Sequence, residues 1–283
     1  MMKTKFIFCA GLLLGYGCSL PGQSLPGSDQ RSLTTRDKNK TPIMKSPTTL
    51  FQYGVADAFI NGLYEGQCSI GQVKETGNFG IGAPDLIDGE LTMSDGKIYQ
   101  TNAKGETFEA PDTLKSPLIF VSTFKAETAL SLADITDMPM LFTGIAALLP
   151  DKNRIYAIRV TGDFSKMKTR AFSPVFKKPF KPLSQLLDQQ HIFNFEHTNG
   201  SMIGFYMPGY LSGINIVGMH FHYLSADRKQ GGHVLDVRSD HVKVEISAID
   251  GFHLTVPATT DFKNYDFNKG NSHALNVVEK GTN

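Results

Sequence analysis

GMHFHYLSADRKQGGHVLD, residues 218–236, carries His220, His222 and His233 in a pattern that predicts a β-hairpin built around a metal site. Along a strand, side chains at i and i+2 point to the same face, so His220 and His222 present two imidazoles side by side. The stretch from Ser225 to Gly232 is polar and ends in Gly231-Gly232, which suits a turn that returns the chain antiparallel and delivers His233. Three neutral nitrogens on a rigid hairpin match the ligand set of a catalytic zinc site, which leaves one position for water or substrate. A closed structural site would want a fourth protein ligand, usually Cys, and none is near. His-x-His alone is common on exposed strands as a mere polar face. The third His beyond a Gly-Gly turn raises this stretch above that reading.

Strand patterns continue on both sides of the hairpin. Ser201 to Met207, Asn215 to Leu224, His233 to Val237, Val242 to Ile249 and Phe252 to Val256 are predicted strands, the last two around Asp250-Gly251. In VKVEISAI, Val242, Val244, Ile246 and Ala248 should face in, and Lys243, Glu245 and Ser247 out, which makes Glu245 a solvated surface residue. Upstream, Asp88-Gly89, Asp95-Gly96 and Lys104-Gly105 punctuate short stretches into a meander of hairpins, and RIYAIRVTGDF alternates as another strand. Helices are fewer. Phe51, Val55, Phe59 and Leu63 recur every four residues and predict an amphipathic helix over Leu50 to Tyr64. A second is expected from Ser131 to Leu149, closed before Pro150, and a short third from Pro182 to Gln189. The sum is a mixed α/β fold with largely antiparallel sheets and no βαβ rhythm.

At 283 residues, with 41% hydrophobic residues, the chain can bury an ordinary globular core, and its net charge of +1 shows no basic stripe for nucleic acid. Small molecules are the expected ligands. No GxGxxG opens a helix, and neither a P-loop nor a GxSxG elbow occurs, which disfavours dinucleotide, ATP and serine-hydrolase chemistry.

The first residues read as a targeting leader, 1–20: Lys3 and Lys5 precede an apolar core from Phe6 to Leu14, then small residues to Ser19. Cleavage near Gly17 would leave Cys18 first, as in a lipoprotein, although Gly15 stands where Leu is usual, so simple secretion is an equal expectation. Cys68 is then the remaining cysteine, expected as a buried small hydrophobe. Residues 21–48, rich in Ser, Pro, Thr and Lys, read as a disordered linker. The folded body divides into an N-terminal α/β part, 49–162, and a β-rich metal-binding part with its tail, 163–283.

Three long blocks, GNFGIGAPDLIDGELTMSDGKIYQ, YAIRVTGDFSKMKTR and GFYMPGYLSGINIVGMHFHYLSADRKQGGHVLD, resemble, in the same order, the corresponding blocks of the alpha-acetolactate decarboxylase family. The resemblance covers about Leu50 to Asn283. It implies a two-domain α/β zinc enzyme, a homodimer, that converts 2-acetolactate to acetoin and carbon dioxide through an enediolate stabilised by the metal. It implies zinc on His220, His222 and His233. It places the acid of the DGEL block on Glu90, the arginine of the KTR block on Arg170, and a tail acid on Glu279. One departure stands out: the family usually reads GTF where this chain has Gly82-Ala83-Pro84, so a pocket hydroxyl is absent.

On residues alone, Glu90 would be a solvated turn residue, Arg170 the partner of a surface acid, and Glu279 part of a fraying tail. His191, His197, His241, His253 and His273 lack ligand spacing and are expected as surface or satisfied polar residues. Two other functions compete. A cupin-like metal oxygenase also uses His-x-His and a later His, but wants a Glu soon after, where only Asp227 is offered. An exported, non-catalytic metal-binding module is the other.

Overall fold

The structure is a computed structural model and describes residues 48–269. The expected leader, nearly all of the linker, His273 and Glu279 lie outside the described residues. In chain order the elements are β1 Thr49–Tyr53, α1 Ala56–Ile60, β2 Cys68–Ser69, α2 Ile70–Lys74, β3 Phe79–Ala83, β4 Glu90–Ser94, β5 Lys97–Thr101, β6 Thr107–Glu109, β7 Lys115–Ser116 and β8 Leu118–Ser122. Then come β9 Thr128–Ile135, α3 Met138–Leu148, β10 Ile155–Phe172, β11 Gln190–Met207, β12 Gly218–Ser225, β13 Gly231–Ile249, β14 Gly251–Thr255 and α4 Thr260–Lys263.

Two sheets result. The first runs β14-β1-β8-β3-β4-β5-β6, antiparallel except where β14 lies parallel to β1. The second runs β10-β11-β12-β13-β9, and β10 also pairs with β13, so four long strands close on themselves while β9 adds to the outside. Fold class is therefore as the patterning predicts: α/β, largely antiparallel. β10 passes without a break through residue 162, and β9 and α3 belong with the second sheet.

Side-chain alternation sorts the core into layers. Ile81 and Phe120 of the first sheet meet Ala157, Ile203 and Phe205 of the second in one apolar cluster. The other face of the first sheet packs Leu91, Met93 and Ile98 against Ile70 and Val73 of α2. The far face of the second sheet packs Ile158, Val160 and Val244 beneath Leu141 and Ile145 of α3.

Several elements differ from the sequence reading. Leu50 to Tyr64 is not one helix: TLFQY is β1, held between β8 and β14, and Gly54 at φ +84° turns the chain into the five-residue α1. Two ladders override a spacing of four. Likewise the expected helix from Ser131 begins only at Met138, because Asp137 caps it by accepting from the Met140 amide at 2.8 Å, and Pro139 sits in the first turn. Residues 128–135 are β9 instead. Pro182 to Gln189 forms two single 3-10 turns, Leu183–Gln185 and Leu187–Gln189. The strands around Asp250-Gly251 form as expected but in different sheets: the chain there leaves the second sheet and joins the first as β14. In β13 the inward set is as expected, but Ser247 is buried too, accepting from the Lys125 amide at 3.4 Å. Glu245 pairs with Lys243 at 2.6 Å.

Candidate metal centre

The hairpin forms as the residues predict. β12 and β13 pair antiparallel with His222 directly opposite His233, and His220 lies two residues back on the same face as His222. One ligand atom from each imidazole falls within 4.8 Å of the others. His220 Nε2 lies 2.9 Å from His233 Nδ1. His222 and His233 are buried and His220 is half-buried. Burial, reinforced by the Arg170 charge, pushes the His220 pKa down to about 3, and burial holds His222 well below its ordinary value. Both rings are therefore neutral, the form that binds metal.

Elements from the other sheet complete the site. His222 Nδ1 lies 2.8 Å from the Leu91 carbonyl oxygen, which must accept, so the ring proton sits on Nδ1 and the lone pair on Nε2. That lone pair faces the Glu90 carboxylate, with Oε2 at 3.5 Å from Nε2. Two acceptors turned toward each other call for a cation or a proton between them. Together with the three convergent imidazoles, this donor set fits a divalent metal such as zinc.

Arg170 belongs to β10, directly opposite His233, and is 2% exposed. Its Nη1 lies 3.9 Å from Glu90 Oε1, and its guanidinium stands 4.8 Å from the centre of the Phe172 ring. Next to it, the Thr169 hydroxyl donates to the Gly231 carbonyl at 2.8 Å and pins the start of β13.

Glu90 is 8% exposed, contrary to the solvated turn residue its local sequence suggests. It follows a turn in which Leu86 and Ile87 adopt φ of 57° and 54° and Gly89 adopts 94°. A β-branched residue in the left-handed region is strained, and such strain persists only where surroundings enforce it, commonly beside a functional site.

The structure thus brings five of the six residues together: His220, His222, His233, Glu90 and Arg170. Glu279 lies outside the described residues. His191, His197, His241 and His253 are exposed and away from this cluster. Cys68 is buried. The Leu91 carbonyl and the Phe172 ring carry no sequence signal, the first because it is backbone, the second because it reads as core. Ala83, at the departure from the family pattern, packs into the apolar cluster between the sheets.

Two packed, mainly antiparallel sheets with a buried cluster of three imidazoles, an acid and an arginine between them define a class of metal-site protein. The alpha-acetolactate decarboxylase family profile matches residues 50–269, and the chain belongs to that family. Named alpha-acetolactate decarboxylases from Brevibacillus brevis and Methanosarcina mazei are 28% and 30% identical, over 99% and 93% of this chain and 99% and 92% of their own. That of Lactococcus lactis subsp. cremoris is 35% identical over 76% of this chain and 90% of its own. Among solved structures, alpha-acetolactate decarboxylase from Bacillus subtilis strain 168 superposes with a TM-score of 0.78 at 29% identity, covering 82% of this chain and 100% of its own. A Staphylococcus aureus protein described as similar to alpha-acetolactate decarboxylase superposes at 0.77, with 28% identity over the same shares.

Proposed function

We propose that this protein is a carboxy-lyase that converts 2-acetolactate to acetoin and carbon dioxide, with zinc on His220, His222 and His233. The observation that carries it is the convergence of Glu90 and Arg170 on the three imidazoles, in a chain that belongs to this family. A divalent ion there would supply Lewis acidity toward the adjacent oxygens of the hydroxy-keto acid and lower the cost of developing negative charge by several kcal/mol.

The remaining work falls to the chain. The bond between the carboxyl carbon and C2 breaks, carbon dioxide leaves, and the electron pair delocalises toward the neighbouring ketone as an enediolate. The planar fork of Arg170 orients the substrate's anionic oxygens and restrains the bond that breaks. Phe172, stacked beside the guanidinium, keeps the fork in one orientation. Glu90 then delivers a proton to C2, and the face it reaches sets the chirality of the acetoin. Glu279 is a second proposed acid for the same role. Burial between two sheets keeps bulk water from protonating the intermediate on the wrong face.

The test is acetoin formation from 2-acetolactate by purified protein, before and after chelation and after zinc is returned. Activity that is absent throughout, or indifferent to chelation, sinks the reading. Oxygen uptake with iron would favour an oxygenase, and zinc binding without turnover a non-catalytic module. The leader pattern at Lys3 to Ser19 supports export, with or without a lipid on Cys18; fractionation and N-terminal mass spectrometry of the mature protein decide it.

A further inference from the structure

His233 reaches the metal centre because the strand that carries it breaks step just beyond it. Lys168 of β10 pairs with Asp236 of β13, and Thr169 pairs with Val234, so Leu235 has no counterpart on β10 and the ladder bulges there. Val234 and Val237 both join the apolar cluster that packs beneath α3, although strict alternation puts residues three apart on opposite faces. Carried back from Val237 without the bulge, that alternation would turn His233 into the same cluster, away from the site. His220 and His222 take the other face, since Phe221 and Tyr223 fill the cluster. A bulge can re-aim a side chain. Here it re-aims the third imidazole, and it sets Arg170 directly opposite.

A buried side chain fastens the bulged strand. Thr169 is fully buried, and its hydroxyl donates at 2.8 Å to the carbonyl of Gly231, two residues before His233. Its neighbours across the ladders are Phe193 of β11 and Val234 of β13, an apolar setting that valine, of the same shape, would also fill. The hydroxyl thus serves the Gly231 carbonyl and not the packing. Gly232 adopts φ +116°, and a Cβ there would come within 2.8 Å of the Arg170 carbonyl oxygen and 3.0 Å of Thr169 Oγ1, so β10 lies tight against this turn of β13. From the first sheet, Thr101 Oγ1 stands where a Cβ at Gly231 would fall, and it shares a hydrogen bond of 2.9 Å with Thr107 Oγ1. Gly231 is therefore gripped from both sheets.

We infer that Thr169 is a positioning residue of the metal centre: by holding the Gly231 carbonyl it fixes the bulge, and the bulge aims the His233 imidazole at His220 and His222. The inference rests on the reading of these three histidines as zinc ligands.

Thr169→Val removes the hydroxyl and keeps the branched shape. Its zinc affinity, measured by competition with a chromophoric chelator, should fall by at least about 10-fold, the loss expected when a group that orients a ligand is removed. Cobalt in place of zinc gives a visible spectrum that reports ligand geometry, and that spectrum should change in the variant. Thr169→Ser should restore both. If the valine variant does not fold, Thr169→Ser against Thr169→Ala makes the same comparison, since both lack the methyl group and they differ only in the hydroxyl. A residue that served stability alone would lower the melting temperature of the zinc-free protein and leave zinc affinity and cobalt spectrum as in the wild type; that result overturns the inference. Absence of zinc binding in the wild type overturns the ligand assignment, and the inference with it.

Discussion

His222 and Leu91 meet across 131 positions of sequence: the imidazole Nδ1 of one lies 2.8 Å from the backbone carbonyl of the other. Because the acceptor is backbone, no side-chain change at position 91 removes it. The ring's tautomer is thus fixed by the packing of the two sheets, and Nε2 is presented to the site with its lone pair outward. Zinc should raise the melting temperature of the wild type by binding the native state alone. His222→Ala should abolish that rise and weaken zinc binding by at least about 100-fold, read by thermal melts and metal analysis after dialysis. A full zinc-induced shift in the variant would exclude His222 as a ligand.

The role proposed for Glu90, beside His222 and Arg170, is to act on a proton and not merely to hold the fold. Glu90→Gln keeps its size and most of its hydrogen-bonding capacity while removing the exchangeable carboxyl proton. Zinc content should stay near that of the wild type, and kcat should fall by about 10²-fold or more. Loss of zinc in proportion to activity would instead make Glu90 a ligand or a structural group.

Arg170 lies beside the Glu90 carboxylate, at 3.9 Å, and the Phe172 ring, at 4.8 Å. Lysine keeps the charge but loses the planar fork and the stacked geometry. Arg170→Lys should lower kcat/KM by roughly 10- to 100-fold, in the range of a charge-assisted bidentate contact. Zinc affinity should be unchanged. An activity equal to the wild type would mean that only charge matters at this position.

The hairpin was legible because its signals are local: alternation, a Gly-Gly turn and three histidines within fourteen residues of sequence. The candidate metal ligands can therefore be read from the residues themselves. Glu90 and Arg170 could not, since each is ordinary in its own neighbourhood and becomes unusual only when two sheets close over it; resemblance to a family supplied them. β1 and the second half of β9 carry a helix-like spacing for a related reason. Apolar residues spaced by three or four also occur in strands buried or paired on both sides, where tertiary ladders decide. Asp137, six residues beyond Ser131, is a cap that the sequence also shows.

That cap gives a stability prediction free of the chemistry. Asp137→Ala removes the acceptor for the Met140 amide and should cost about 1 kcal/mol. For a domain of this size the melting temperature should fall by about 2–4 °C, with zinc content and kcat unaltered. A fall in kcat would show that α3 is coupled to the site.

Tyr223 lies on the same hairpin as the ligands, with its ring turned to the opposite face, fully buried. Its hydroxyl donates to the Asn199 carbonyl at 3.0 Å and shares a hydrogen bond of 2.7 Å with Thr198 Oγ1. Burial pushes its pKa from 10.0 up to about 12. The folded state then holds this proton more tightly than the unfolded state, so the contribution is intact below pH 10 and is lost as pH rises from there through 12. Two pH units correspond to about 2–3 kcal/mol at full deprotonation of the unfolded chain. Tyr53, also raised to about 12, contributes in the same window. Tyr223→Phe should therefore lose about 1 kcal/mol at pH near 8, from its missing hydrogen bonds, yet decline less steeply than the wild type above pH of about 10. Urea midpoints measured on both sides of that window test it, and parallel declines for the two proteins would remove Tyr223 from the alkaline transition.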